Sequence, residues 1–316
     1  MTDAGAGGTT RRAAATGEAT GYSSRHPDEE LALPAAPSRH SVVAAFTRHR
    51  LGVAGLGLVV AIALFSYVGP LLYHANELSV NILATNAAPG AGRPLGTDAN
   101  GFDILGRLML GGQASLELGL AVALAATTLG SLWGAISGMA GGLLDAAMMR
   151  LVDMLISVPA IFVLIFLATV LRPTIWVLIV ALSLMSWPAA ARLVRGETLS
   201  LRAREFVEAA RVSGGSRPHN IFRHILPNAF DTILVNATFQ AADAIIVLAA
   251  LSFLGFGLPP PAVSWGGMLS QGSAYLLDGY WWEVYPVLAL LVLTVLAFNF
   301  VGEGLRDSLD VRLRGE

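Results

Sequence analysis

The chain has 316 residues, 54% hydrophobic and only 13% charged, with a net charge of -2. A soluble domain carries about 25% charged residues, so too few remain here to cover a soluble surface, and the class is an integral membrane protein. Cysteine is absent and all 20 basic residues are arginine, which excludes disulfides, thiolate sites, a lysine Schiff base and the lysine of a P-loop.

If such a chain moves a solute uphill, its energy comes from another subunit or from an ion gradient. Residues 1–40 are rich in Ala, Gly, Thr, Ser and Pro and predict a disordered tail before a membrane domain at 41–316. No apolar stretch of a cleaved signal peptide stands in that tail, so the first span is expected to be an uncleaved anchor. It covers about Leu51–Val68 and stops at Gly69-Pro70. As a helix it is about 27 Å long, close to the roughly 30 Å of a bilayer core.

Residues 69–115 read as a long loop. Within it, Asn100 with Asp103 three residues on predicts a capped short helix over Phe102–Leu110, ended by Gly111-Gly112. Ile104, Leu105, Leu108 and Met109 form its apolar side. Five more spans follow, at about Leu116–Ile136, Leu155–Leu171, Ile175–Ala189, Phe230–Phe256 and Val284–Val301. The fourth is short and the fifth long, so tilt or interruption is expected there. Gly130, Gly134, Gly138, Gly141 and Gly142 predict close helix approach in lipid. Arg150, three residues before Asp153, predicts a local ion pair.

Six spans put both termini on one side. Seventeen of the 20 arginines then share that side, and only Arg93, Arg107 and Arg172 lie opposite, which makes the termini cytosolic. Tyr280, Trp281 and Trp282 fit an aromatic belt at the outer interface.

The loop 190–228 is polar and arginine-rich. Arg204–Val212 reads as a helix, and Ser213-Gly214-Gly215-Ser216 breaks it, with Gly214 suited to a left-handed cap. A second helix starts at Ser216 or Arg217 with Pro218 in its first turn, runs to about Leu226 and ends at Pro227. Ala209 and Ala210 leave a low-relief surface beside Glu208 that suits a groove on a partner. The flanking arginines can pair with carboxylates or with anionic membrane lipid. The plainer alternative is a positive-inside loop with no partner.

Asp243 lies mid-span, with Asn236 and Gln240 seven and three residues before it on one face. A carboxylate at mid-membrane costs about 2.5–3.5 kcal/mol and normally faces a cavity or a partner. A pathway-lining face is expected; a helix–helix hydrogen-bond site is the alternative. Glu303 and Arg306 read as a structural pair at the inner end of the last span. His219 and His224 are five apart, poor spacing for ligands on an α-helix, and no HExxH occurs. No metal, cofactor, catalytic site or nucleic-acid partner is expected.

The loop also carries a resemblance. Glu208-Ala209-Ala210, Gly214 four residues on, and Ile225-Leu226-Pro227 resemble the EAA loop of ABC importer permeases. The full run EFVEAARVSGGSRPHNIFRHILPN resembles the second-subunit (C-type) branch of the dipeptide/oligopeptide permease family. Pro94-Leu95-Gly96-Thr97-Asp98 with Gly101, Asp103 and Arg107-Leu108 is similar to that family's PLGTDxxGRDxxSRL segment. Arg150 to Asp153 with Pro159, and Leu251–Gly255 with Pro260 and Ser264–Leu269, resemble two further segments.

The resemblance implies an all-α bundle of about six transmembrane helices, like a type I ABC importer permease. It implies a pathway shared with a second, homologous permease, two cytosolic ABC ATPase subunits, and an extracytoplasmic solute-binding protein delivering peptides or a peptide-like or nickel-complex solute. Glu208, Ala209, Ala210, Ser213, Gly214, Leu226 and Pro227 would then couple to the ATPases. Thr97, Asp98, Asp103 and Arg107 would form an external gate or meet the binding protein; the alternative is a packing cap on the periplasmic face. Phe102 and Leu248 depart from the family pattern, and Leu248 is expected on the pathway, in weak contact with cargo. The competing readings are an ion-coupled secondary transporter using Asp243, and a channel-forming or structural membrane protein.

Overall fold

The computed structural model describes residues 39–74 and 80–314, with side chains from residue 44 to 309 of that range. The expected disordered tail lies outside the described residues, but for its last two. All regular structure among the described residues is helical, apart from two isolated bridges that pin the segment before Ile104.

Helix α1 (Arg39–Arg48) is separated from α2 (Arg50–Tyr67) by His49. The His49 Nδ1 accepts from Gly52 N at 2.9 Å and caps α2. Its Nε2 meets Asp307, near the other end of the chain, at 3.0 Å. The short α3 (Gly69–Leu72) follows.

The expected short helix at 102–110 is the opening of a far longer one. Helix α4 (Ile104–Ala140) has 37 residues, about 55 Å of rise, so the preceding loop stops at residue 103. Its N-cap is Asp103, not Asn100: Asp103 Oδ1 accepts from Gly106 N at 2.9 Å. Gly111 and Gly112 do not stop it. A Cβ at Gly111 would come within 3.1 Å of the Trp265 ring, and one at Gly112 within 2.2 Å of Ser66 Oγ. These glycines admit close neighbours, and tertiary packing overrides their weak helix preference. The true stop is Gly141-Gly142, with φ of +66° and +59°, which turns the chain into α5 (Gly142–Ser157).

The third span is broken. Helices α5 and α6 (Ala160–Val170) meet at 77°, with Val158 extended (ψ 125°) before Pro159. The proline ring pushes its predecessor out of the helical region and supplies no N–H. Helix α7 (Ile175–Leu201) instead runs well past the expected end at Ala189, through Pro188. Arg192, Arg195 and Arg202 stay with that helix because each finds an acceptor on α4 or α5.

Then come α8 (Glu205–Val212), α9 (Arg217–Asn220), one π-turn over Ile221–Ile225 and α10 (Leu226–Asn228). Pro227 does not end the helical run: it sits in the first turn of α10, where its missing N–H costs nothing, and the break falls at Ala229. Helices α11 (Phe230–Phe253), α12 (Trp265–Ser273) and α13 (Tyr285–Arg314) complete the chain, with 3₁₀ turns at Leu276–Asp278 and Trp281–Glu283. Among the described residues, five helical segments are long and apolar enough to cross a membrane, and the bent α5–α6 pair makes up to six.

Helix α4 is the axis of the bundle, packed on α7, α11 and α2. Gly130, Gly134 and Gly138 lie against Ala190, Ala191 and Thr198 of α7, where added Cβ atoms would approach to 2.4–2.7 Å. Lipid offers no hydrophobic drive between helices, so such close approach, with its dispersion contacts, is what holds them. Gly52 and Gly55 of α2 pack as closely on α13, while Leu56, Val60 and Leu64 on the same helix are exposed.

Candidate functional site

Three regions bring the predicted residues together: a cap at the start of α4, a cleft at the α5–α6 break, and the helical segment 202–229.

In the cap, Asp98 is the organising residue. Its Oδ1 accepts from Asn100 N at 2.9 Å and Phe102 N at 3.0 Å, and its Oδ2 accepts from Arg107 Nη1 at 2.6 Å. The Arg107 guanidinium lies 4.7 Å from the centre of the Phe102 ring, so the Phe102 departure supplies a cation–π contact. Asp103 caps α4 and accepts from the Tyr73 hydroxyl at 3.0 Å. Thr97 Oγ1 accepts from Ala87 N at 2.9 Å and donates to Ala84 O. All four predicted residues are buried, so they brace the cap and do not themselves form its surface. Trp282 is also turned inward, donating to Thr97 O at 3.3 Å, whereas Trp281 is exposed. Trp265, fully buried, donates to Leu108 O at 3.0 Å and locks α12 onto α4.

The cleft has a volume of about 680 Å³. Pro159, Ser186, Arg192, Gln240 and Asp243 are among the residues lining it. Asp243 is exposed to it. Gln240 is turned toward α7, donating to Ser186 O at 3.0 Å. Asn236 does not line this cleft, and its Oδ1 is buried without a partner. Asp153 pairs with Arg192 of α7 at 2.7 Å, not with Arg150 as its spacing suggests, because α7 runs alongside α5. Leu248 also departs from expectation. It is packed in a core with Leu118, Leu182 and Leu251 and does not face the cleft.

The segment 202–229 presents two faces. Val207, Ile221, Ile225 and Ala229 are buried against Ala135 of α4 and Val194 of α7. Glu208, Ala209, Arg211 and Ser213 are exposed, Ala210 and Leu226 partly so, and Pro227 exposed. Phe206, Val212 and Phe222 are exposed apolar side chains beside them. Gly214 has φ +85°, the expected left-handed cap, with Ser213 N bonded to Ala209 O at 3.0 Å and Gly215 N to Ala210 O at 2.9 Å. Ser216 caps α9 through His219 N. The π-turn corrects one sequence inference: residues five apart share a face there, and the His219 and His224 rings lie 5.9 Å apart.

Next to this segment, Arg195 holds Asp145 with both carboxylate oxygens, at 2.6 and 2.7 Å, and Ser137 donates to the same carboxylate. This network ties α4, α5 and α7 together. Its partners are 50 residues apart, so no local signal reveals it. Arg192 is equally silent in sequence, although Pro159 does mark the cleft.

The family described as "Binding-protein-dependent transport system inner membrane component" matches residues 130–315. The "N-terminal TM domain of oligopeptide transport permease C" matches residues 40–89. Among curated proteins, the oligopeptide transport system permease protein OppC of Escherichia coli K12 is 40% identical over 271 residues, 85% of this chain and 89% of that protein. OppC of Haemophilus influenzae is 39% identical over 271 residues (85% and 87%), and OppC of Bacillus subtilis 37% over 269 (85% and 88%). With its multi-pass helical bundle, the chain belongs to the family of inner-membrane permease components of binding-protein-dependent transport systems.

Proposed function

We propose that this chain is the C-type permease subunit of an ATP-binding cassette importer for peptides, or for a peptide-like or nickel-complex solute. The observation that carries the reading is the two-faced segment at 202–229. One face is anchored in the bundle by Val207, Ile221 and Ile225. The other offers Glu208, Ala209 and Ser213, with Phe206 and Val212 exposed beside them. A short helix with small residues flanked by uncovered apolar side chains suits the groove of a partner.

The partners follow from this reading: two ATPases on those segments, a second homologous permease sharing the pathway, and a solute-binding protein at the cap. The arginine distribution supports cytosolic termini and a cytosolic 202–229 segment. Glu208, Ala209, Ala210, Ser213, Gly214, Leu226 and Pro227 serve the coupling role. Asp243 and Gln240, at the α5–α6 cleft, serve the pathway, with Asn236 one turn deeper on the same helix. The cap residues Thr97, Asp98, Asp103 and Arg107 hold the shape that the binding protein meets. The ion-coupled alternative gains no support from the family assignment.

The test uses the chain's lack of cysteine. Ala209→Cys introduces its only thiol. The tagged variant, gently extracted from its own host, is expected to co-purify with two P-loop ATPases and a second permease, and to cross-link to an ATPase through residue 209. A chain that purifies alone under conditions preserving other complexes refutes the reading.

A further inference from the structure

One buried carboxylate has no role in any of this. Glu283, in the 3₁₀ turn before α13, is only 3% exposed, and its Oε1 has no hydrogen-bond partner among the described residues. It makes no ion pair among the described residues. Leaving a charged group desolvated and unpaired is costly, so Glu283 must hold either a proton or a cation.

The space it faces is defined. Glu283 lines a small cavity with Asp98, Ile104, Met268, Gln271 and Gly272. The cavity measures about 10 Å³, which is room for one water-sized particle. Two carboxylates therefore share one enclosure. Arg107 already neutralises Asp98 at 2.6 Å, so an ionised Glu283 has no counter-ion in the enclosure. A carboxylate has about four acceptor positions, and three on Asp98 are taken, leaving one. Glu283 Oε1 is free, and the Gln271 side chain, exposed at the lip, supplies an amide oxygen and an entry. Gly272 is required for this geometry: a Cβ there would come within 3.0 Å of Glu283 Cβ.

We infer that Glu283, Asp98 and Gln271 form a binding site for one small monovalent cation of sodium size. Charge and size both select it. One positive charge balances an ionised Glu283, the volume excludes organic cations, and the three oxygens at hand fall short of the six to eight that calcium takes. The bound ion ties the turn before α13 to the loop that holds Asp98. The site is separate from the cleft at Asp243 and from the segment at 202–229, so its failure leaves the importer reading intact.

The experiment uses the full-length chain in detergent or nanodiscs. Thermal unfolding is compared in sodium chloride and N-methylglucamine chloride, which share anion and ionic strength. A ligand that binds only the folded state raises Tm saturably. The expected result is a saturable rise with sodium, smaller with caesium and absent with N-methylglucamine. Equilibrium binding of radioactive sodium should reach one ion per chain. In Glu283→Gln the sodium dependence should vanish, with Tm in N-methylglucamine no lower than that of the unsubstituted chain. Equal Tm in sodium and N-methylglucamine, or no stoichiometric sodium binding to the unsubstituted chain, overturns the site even if the variant does not fold. An undiminished sodium shift in Glu283→Gln overturns it equally.

Discussion

Gly134 offers a sharp test of how this bundle is held. A Cβ at Gly134 would stand 2.4 Å from Ala191 O and 2.8 Å from Arg195 N. Ordinary contact begins near 3.4 Å, so Gly134→Ala must part α4 from α7 by roughly 1 Å. Both obstructing atoms are backbone, and no rotamer change can relieve them. Overpacking of this kind costs about 1–3 kcal/mol, and the obstruction places this site near the upper end. Alanine returns about 1 kcal/mol through helix preference, for a net loss of about 2 kcal/mol. Gly196, on α7, is the control, because nothing lies within 4 Å of a Cβ there. Gly196→Ala should be neutral or stabilising by up to about 1 kcal/mol. The two substitutions are chemically identical and should differ by roughly 3 kcal/mol in reversible SDS or thermal unfolding of the purified chain. If Gly134→Ala proves as stable as Gly196→Ala, close approach of α4 and α7 is not what holds the bundle.

Two further substitutions separate burial from exposure. Asp145→Asn breaks a bidentate pair whose side chains are 12% and 31% exposed, and should cost about 3 kcal/mol, the lower end for buried pairs. Asp153→Asn breaks a pair in which both side chains are 54% exposed and should cost about 1 kcal/mol or less. The same unfolding assay compares them, and equal losses would contradict the burial argument. At Gly214, φ is +85° with open space around the Cβ position. Gly214→Ala is therefore strained only by its backbone, by about 1–2 kcal/mol. The chain should still fold, while solute uptake by the assembled importer falls and ATP hydrolysis persists. Unchanged uptake per ATP would remove Gly214 from the coupling role.

What the sequence made legible was local. Spans announce themselves through runs of apolar residues with few charges. Gly214, Ser216 and Pro218 announce the α8–α9 turn because each acts on its own backbone. Most of the errors involve partners distant in sequence. Gly111-Gly112 reads as a stop until Trp265 and Ser66 occupy the space above it. Arg150 is the neighbour Asp153 has on its own helix, but Arg192 of α7 takes the pair. Leu248 shares α11 with Asp243, yet the core formed with Leu118 and Leu182 claims it. Seen as an α-helix, His219 and His224 diverge; one π-turn aligns them. The site itself divides the same way: the exposed segment at 202–229 is a contiguous motif, whereas the cleft depends on how Pro159 breaks a span and where α7 passes it.

The connection between the two ends of the bundle rests on α4. Its first turn is fixed by Asp103 and by the Asp98–Arg107 pair. Its last third lies under the core of the 202–229 segment, through Ala135. Between them the glycine contacts bind it to α7 along about two helical turns, and Asp145–Arg195–Ser137 closes the lower end. Buried contacts therefore tie α4, α7 and the 202–229 segment to one another. Helix α6 is different. It packs less extensively on its neighbours than α4 does, it follows a 77° break, and Phe162 and Phe166 are exposed. In the proposed coupling role, a force applied at Glu208 and Ala209 would reach the cleft as relative motion between the α4–α7 pair and α6, and the exposed Arg192–Asp153 pair, between α7 and α5, would be the contact to open.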